Sequence, residues 1–152
     1  MAKMKILMVC LGNICRSPLA EGIVRQLAAD NGLDWEIASA GTGNWHVGQP
    51  ADSRSIAVAK SYGYDISKQR AQHFISRMLE EYDQILVMDR NNLRDVLKLA
   101  ANDEQRKKVS LFLTENLDVT DPYYDDHLFD PVFLTIEERA KELIEELKDK
   151  LT

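Results

Sequence analysis

The 152-residue chain lacks any apolar run near the roughly 20 residues that a bilayer span requires, so membrane insertion is not expected. Cysteine is scarce: Cys10 and Cys15 alone, five positions apart, exclude the widely spaced disulfide framework of a small secreted scaffold and fit a reducing cytoplasm. Positive charge is in deficit, 19 Lys and Arg against 25 Asp and Glu for a net −6, so the clustered basic face of a nucleic-acid or anionic-membrane binder is not expected either. The three histidines, His46, His73 and His127, have no ligand-like spacing with the cysteines, and no metal or cofactor is expected. No internal repeat, linker or low-complexity segment interrupts the chain. What is present is a 45% apolar sequence long enough to bury a substantial core, read as one domain over residues 1–152, with its N-terminus leading straight into a short apolar strand and no targeting segment.

Hydrophobic periodicity organises that core. Residues 4–9 read as a buried strand, and Pro18 to about Ala29 as a helix with Leu19, Ile23, Val24 and Leu27 on one stripe. The alternation returns three times: Trp35–Ser39 then Ser53–Lys60, Gln84–Met88 then Leu93–Leu99, and Val109–Leu113 then a final helix. For that last helix, Thr135 and Glu138 form a capping-box pair ahead of Ile136, Ala140, Leu143, Ile144, Leu147 and Leu151 at helical spacing. Parallel neighbours require a crossover helix, so four such units predict an α/β doubly wound fold, a four-stranded parallel sheet flanked by helices in three layers. Ligands of such folds bind beyond the carboxyl ends of the strands. The first such end is Cys10. Residues 40–52 and 114–134 are the long irregular stretches, a length at which loops are often functional.

The segment Cys10-Leu11-Gly12-Asn13-Ile14-Cys15-Arg16-Ser17-Pro18 joins strand to helix directly, with Ser17 a suitable N-cap and Pro18 a suitable first helical residue. Backbone N–H groups of Leu11 through Ser17 can therefore converge on an anion, assisted by the helix dipole. A cysteine in that field is favoured as thiolate, the nucleophilic form. Arg16 keeps its charge and offers a planar fork that matches two oxygens of a phosphoryl group. An isolated cysteine at a strand end is ordinarily inert core; the strand-loop-helix context around a Cys-x5-Arg spacing is what points to phosphate chemistry.

Val9 to Glu21, with its Cys-Leu-Gly-Asn-Ile-Cys-Arg-Ser-Pro run, resembles the signature of the low-molecular-weight protein-tyrosine phosphatases. Further matching segments are Ser39-Ala-Gly-Thr42, Trp45 with Val47-Gly48, Ile85 to Asp89 with Asn92-Leu93, and Asp121-Pro-Tyr-Tyr124, in family order along nearly the whole chain. The resemblance implies hydrolysis of phosphotyrosine and small aryl phosphates through a phosphocysteine intermediate, with Cys10 as nucleophile, Arg16 as phosphate clamp and Asp121 as general acid. Asp118, Asp125, Asp126 and Asp130 share that acidic stretch, and only Asp121 is singled out by the match. An acid that also serves as base in the second step must begin protonated beside a thiolate and a bound dianion, which implies a mildly acidic optimum.

By the same resemblance, Asn13, Ser17 and Ser39 shape the loop, while Trp45, Tyr123 and Tyr124 wall the pocket, with aromatic faces suited to a substrate ring. Cys15 is implied as a redox partner that traps an oxidised Cys10 as a disulfide. Tyrosine-phosphorylated proteins are the implied partners of a monomer that self-associates weakly at most. Four alternatives stay open. A thiol-dependent arsenate reductase would relay oxidation through further cysteines, and none follows Cys15. A protein-arginine phosphatase typically carries Thr where this chain has Ile14. A non-catalytic phosphoprotein-binding module would not need Cys10, Arg16 and Asp121 together. A divalent-metal site would draw on Asp121, Asp125, Asp126 and His127. The chain departs from family habit at Asp125, where Gly commonly follows the tyrosine pair, which bears on loop shape and substrate preference.

Overall fold

The computed structural model describes residues 3–149. In chain order these form β1 (Lys5–Cys10), α1 (Arg16–Asp30), β2 (Glu36–Gly41), α2 (Ser53–Ser61), α3 (Met78–Glu81), β3 (Gln84–Val87), α4 (Arg90–Leu97), α5 (Asp103–Lys107), β4 (Val109–Leu111), a 3-10 turn (Asp126–Leu128) and α6 (Phe129–Lys148). The four strands make one parallel sheet in the order β2-β1-β3-β4. The anticipated architecture is thus present, with α3 and α5 as additional short helices inside connections.

Strand β1 is hidden on both faces because it lies between two strands and two helical layers. Its alternate residues divide the core: Ile6, Met8 and Cys10 pack with α1 and α6, whereas Leu7 and Val9 pack with Phe74, Leu79 and Val96 on the other side. Chain direction across the sheet reverses between β1 and β3, so the carboxyl end of β1 is the switch point where a doubly wound sheet opens a crevice. Cys10 ends that strand, paired in register with Gly41.

Three helix starts differ from the sequence expectation, and the simplest is α4, which begins at Arg90 behind its Asp89 cap rather than at Leu93. Helix α1 begins at Arg16 with Cys15 as N-cap, and Ser17 sits within the first turn without capping it. The hydroxyl that was expected to satisfy a helix N–H instead meets the Cys10 sulfur at 3.0 Å. Helix α6 begins at Phe129, so Thr135 is interior and the Thr135–Glu138 capping box does not exist. The apolar stripe extends upstream through Phe129, Val132 and Phe133. Pro131 lies in the first turn, where its missing N–H has no intrahelical acceptor to lose. Tyr62 stacks on Phe133 at 4.5 Å, fixing this early part of α6 against α2. Leu151, expected on the same stripe, lies outside the described residues.

Candidate active site

Residues 11–15 leave the sheet and turn sharply into α1. Asn13 takes a left-handed backbone with φ +58°, a conformation that asparagine tolerates better than most residues. Gly41 allows the loop to pass close by: a Cβ there would stand 2.8 Å from the Leu11 carbonyl oxygen. Thr42 N–H donates to the Cys10 carbonyl and Gly43 N–H to that of Leu11, stitching the loop onto the end of β2. Among the described residues, the backbone N–H groups of Leu11, Gly12, Ile14, Cys15, Arg16 and Ser17 donate to no protein acceptor. A run of unpaired donors at a helix N-terminus is a donor set for an oxyanion.

The loop borders a cleft of about 330 Å³ lined by Cys10, Leu11, Gly12, Ile14, Cys15, Arg16, Trp45, His46, Asp121, Tyr123 and Tyr124. The Cys10 sulfur is buried at its floor and receives Asn13 N–H at 3.2 Å together with the Ser17 hydroxyl contact. Arg16 is only 4% exposed, and among the described residues it is engaged through Nη1 alone, which donates to Asp89 Oδ2 at 2.8 Å and to the Val119 carbonyl at 2.9 Å. Nε and Nη2 are left to form the fork. Burial works against the Arg16 cation, but the Cys10 sulfur, Asp89 and Asp121 outweigh it and hold its pKa above the ordinary value.

Asp89 was not anticipated as a site residue. It N-caps α4 in a reciprocal capping box with Asn92, and its second oxygen takes the Arg16 guanidinium. An Asp at a strand end with a polar side chain three positions on is a helix-start signature that sequence alone offers. That it reaches Arg16 follows from the β1–β3 pairing, which no local pattern contains.

Asn13, Ser17 and Ser39 lie behind the cleft rather than on its wall. The Asn13 amide nitrogen donates to Ser17 Oγ at 2.7 Å and to Ser39 Oγ at 2.9 Å, while Asn13 Oδ1 accepts from the backbone N–H of Gln72. Of the expected pocket walls, Tyr123 and Tyr124 meet edge to face at 5.0 Å, and Tyr124 is 89% exposed. The Trp45 ring folds over Gly43, where a Cβ would stand 1.9 Å from the indole. His46, also not anticipated, joins the wall beside Gly12, with Nδ1 2.9 Å from Gln49 Oε1.

Asp121 lies on the exposed side of the cleft, with Oδ1 accepting from Tyr123 N–H, a local turn that fixes the carboxylate relative to the aromatic pair. The loop is tied down through Arg54, which bonds Asp52 and Asp126 and lays its guanidinium against Tyr123 and Phe129. Asp125 caps the turn at His127 N–H. Neither Asp125, Asp126 nor His127 lines the cleft, and among the described residues no group of three His, Cys, Asp or Glu is placed to hold a metal ion. Cys15 is buried against Ile14, Ala71 and Phe129. That burial, with the charges of Asp52, Cys10 and Asp121, pushes its thiol pKa up to about 12, so it is protonated at neutral pH.

Comparison with known proteins places these features in a group. Residues 5–152 match the family model described as low molecular weight phosphotyrosine protein phosphatase. The chain is 40% identical over 136 residues to low molecular weight protein-tyrosine phosphatase A of Mycobacterium tuberculosis, covering 85% of this chain and 82% of that protein. It is similar to the crystal structure of YfkJ from Bacillus subtilis, with a TM-score of 0.92 at 31% identity, covering 100% of this chain and 99% of the other. It is also similar to a protein tyrosine phosphatase from Entamoeba histolytica with Hepes in the active site, with a TM-score of 0.90, 33% identity and coverage of 99% and 100%.

Proposed function

Because the chain belongs to the low molecular weight phosphotyrosine protein phosphatase family, we propose that it hydrolyses phosphotyrosine in proteins through a phosphocysteine formed on Cys10. The observation that carries this reading is the placement of the Cys10 sulfur on the floor of a cleft whose rim holds Asp121 and the aromatic side chains. Unpaired N–H groups and the free edge of Arg16 receive the phosphoryl oxygens. The Cys10 thiolate attacks phosphorus, the bond to the tyrosyl oxygen breaks, and Asp121 gives that oxygen a proton as it leaves. Water then attacks the phosphocysteine, sulfur departs as thiolate, and the Asp121 carboxylate takes the proton from the water. Arg16 and the loop amides hold the same oxygens throughout, so they stabilise the transition state of both steps.

Trp45, Tyr123 and Tyr124 offer apolar faces to a phenyl ring, which favours an aryl substrate over a smaller or more polar ester. The same reading makes Cys15 the disulfide partner of Cys10 once peroxide has oxidised it to the sulfenic acid, whose hydroxyl leaves as water when the S–S bond forms; because a thiol attacks as thiolate, closure is expected to accelerate as pH rises. We place the protein in the cytoplasm, as a monomeric domain over residues 1–152 acting on tyrosine-phosphorylated proteins. Among the described residues no helix is long and apolar enough to cross a membrane.

The test is turnover of a phosphotyrosine peptide, phosphoarginine and arsenate by wild type, Cys10→Ser and Asp121→Ala in metal-free buffer. Wild type should cleave the peptide alone, Cys10→Ser should be inactive, and trapping of ³²P-labelled phosphate on wild type but not Cys10→Ser should reveal the covalent intermediate. Peptide turnover by Cys10→Ser at the wild-type rate would overturn the mechanism.

A further inference from the structure

Glu21 is a buried carboxylate, 7% exposed, that the hydrolytic steps do not use. It lies one turn along α1 from Ser17, and Arg25 lies one turn further, so the three share a helix face running from the phosphate loop outward. Glu21 Oε1 accepts the Ser39 hydroxyl at 2.6 Å, and Oε2 accepts from Arg25 Nη2 at 2.6 Å. Ser39 is in turn bonded to the Asn13 amide, which bonds Ser17, which meets Cys10.

The direction of each link follows from its ends. The Gln72 backbone N–H can only donate, so the Asn13 atom facing it is the oxygen, and the amide NH2 faces the two serines. Each serine oxygen thus accepts one amide hydrogen and must direct its single proton elsewhere. An ionised carboxylate only accepts, so the Ser39 proton is held on Glu21. The remaining hydroxyl proton, that of Ser17, is directed at the Cys10 sulfur. Without an acceptor at position 21, the buried Ser39 hydroxyl would be left unsatisfied and free to turn its proton toward the Asn13 amide. Such a turn would oppose the orientation that keeps Asn13 in its left-handed conformation and its N–H on sulfur.

We infer that Glu21 is a positioning residue that, by taking the Ser39 proton, works with the Gln72 N–H to hold the polarity of the Glu21–Ser39–Asn13–Ser17 chain, so that Cys10 faces a proton donor rather than a lone pair. The role belongs to the acceptor oxygen, with Arg25 as an outer counter-ion that also donates to the Ile37 carbonyl. This inference rests on Cys10 being the nucleophile.

The experiment measures inactivation by iodoacetate against pH, with mass spectrometry locating the alkylated sulfur, for wild type, Glu21→Ala, Glu21→Gln, Ser39→Ala and the Glu21→Ala/Ser39→Ala pair. Glu21→Ala should raise the midpoint of the alkylation profile by about one pH unit and lower kcat by about tenfold with little change in KM. Glu21→Gln, whose amide oxygen still accepts from Ser39, should return the midpoint close to wild type. In the Ser39→Ala background, Glu21→Ala should produce no further shift, since the link through which it acts is gone. An unchanged midpoint in Glu21→Ala, an undiminished shift in the double variant, or a Glu21→Gln profile displaced as far as that of Glu21→Ala would each overturn the inference. If Glu21→Ala does not fold, Glu21→Gln against Ser39→Ala carries the test, with a Glu21→Gln midpoint shifted as far as that of Ser39→Ala counting against it. Failure of the underlying reading looks different: wild type would survive alkylation of Cys10 with full activity.

Discussion

Residues 10–17 and residues 118–126 both contribute side chains to the same cleft, yet they are held in place by different means. The first segment is mostly buried, with Asn13, Arg16 and Ser17 all within the interior, and its shape is secured by bonds among its own members and to the ends of β2 and α1. The second is largely exposed and is secured from outside. Arg54 on α2 grips Asp126 and Tyr123, Arg90 holds Asp118, and Val119 is pinned by a backbone bond to Met88. The contrast follows the chemistry assigned to each. A site that must hold charge in nearly the same geometry through two steps gains from rigid, water-poor surroundings. A loop that supplies a proton and admits a large substrate has reason to stay at the surface, where side-chain ties can yield.

If this division is sound, the most damaging changes fall in the buried segment. Arg16→Lys keeps the charge but loses the fork and the paired bonds to Asp89 and Val119, and kcat/KM for an aryl phosphate should fall by roughly 100- to 1000-fold. A loss below tenfold would show that charge alone suffices. Asp121→Ala should lower turnover of an unactivated aryl phosphate by about 100-fold, and much less for a leaving group acidic enough to depart without a proton. Equal losses for both leaving groups would remove Asp121 from the acid role and erase the functional difference between the two loops.

A smaller effect tests the tether. Arg54→Ala releases Asp126 and the rings of Tyr123 and Phe129, and should reduce kcat/KM by about tenfold while leaving the Cys10 alkylation profile in place. A shifted profile would show that the two loops are mechanically coupled rather than separately supported. An effect that is absent at neutral pH concerns stability in alkali. Burial raises the Cys15 thiol from 9.0 to about 12, so above pH 9 the unfolded chain releases this proton before the native one does. Stability from this group is therefore complete below about pH 9 and declines as pH rises toward 12, by up to about 1.4 kcal/mol per pH unit. Thermal unfolding of Cys15→Ala should show a shallower decline across that window, and a parallel decline would place the alkaline sensitivity elsewhere.

Much of the buried segment was legible in sequence, because Cys10 to Pro18 is contiguous and each residue type carries a local rule: a strand end, a tight turn, a fork-shaped cation, a helix start. The misreading there is instructive. Ser17 scores as an N-cap by type and position, but capping preference is worth about 1 kcal/mol, and a hydroxyl facing a buried sulfur satisfies a stronger demand. Thr135 with Glu138 misled in the same way: the pattern is present, yet Phe129, Val132 and Phe133 had core to cover, so the helix began earlier. Asp121 was reached only through resemblance, since nothing local distinguishes it from Asp118, Asp125 or Asp126.

The sequence by itself determined the doubly wound α/β plan and the anion-seeking loop, because hydrophobic period and contiguous turn chemistry act over a few residues and need no partner. Tertiary structure alone decided which side chains serve that loop. Asp89 and Val119, the latter 103 positions from Arg16, arrive through strand pairing, and Ser39 and Gln72 through the neighbouring edge of the sheet. Glu21 sits one turn from Ser17 in any helical reading, but its carboxylate gains a purpose only once β2 sets Ser39 beside it. Hydrogen bonds between distant segments depend on register and packing, and those are properties of the folded sheet rather than of any window of sequence.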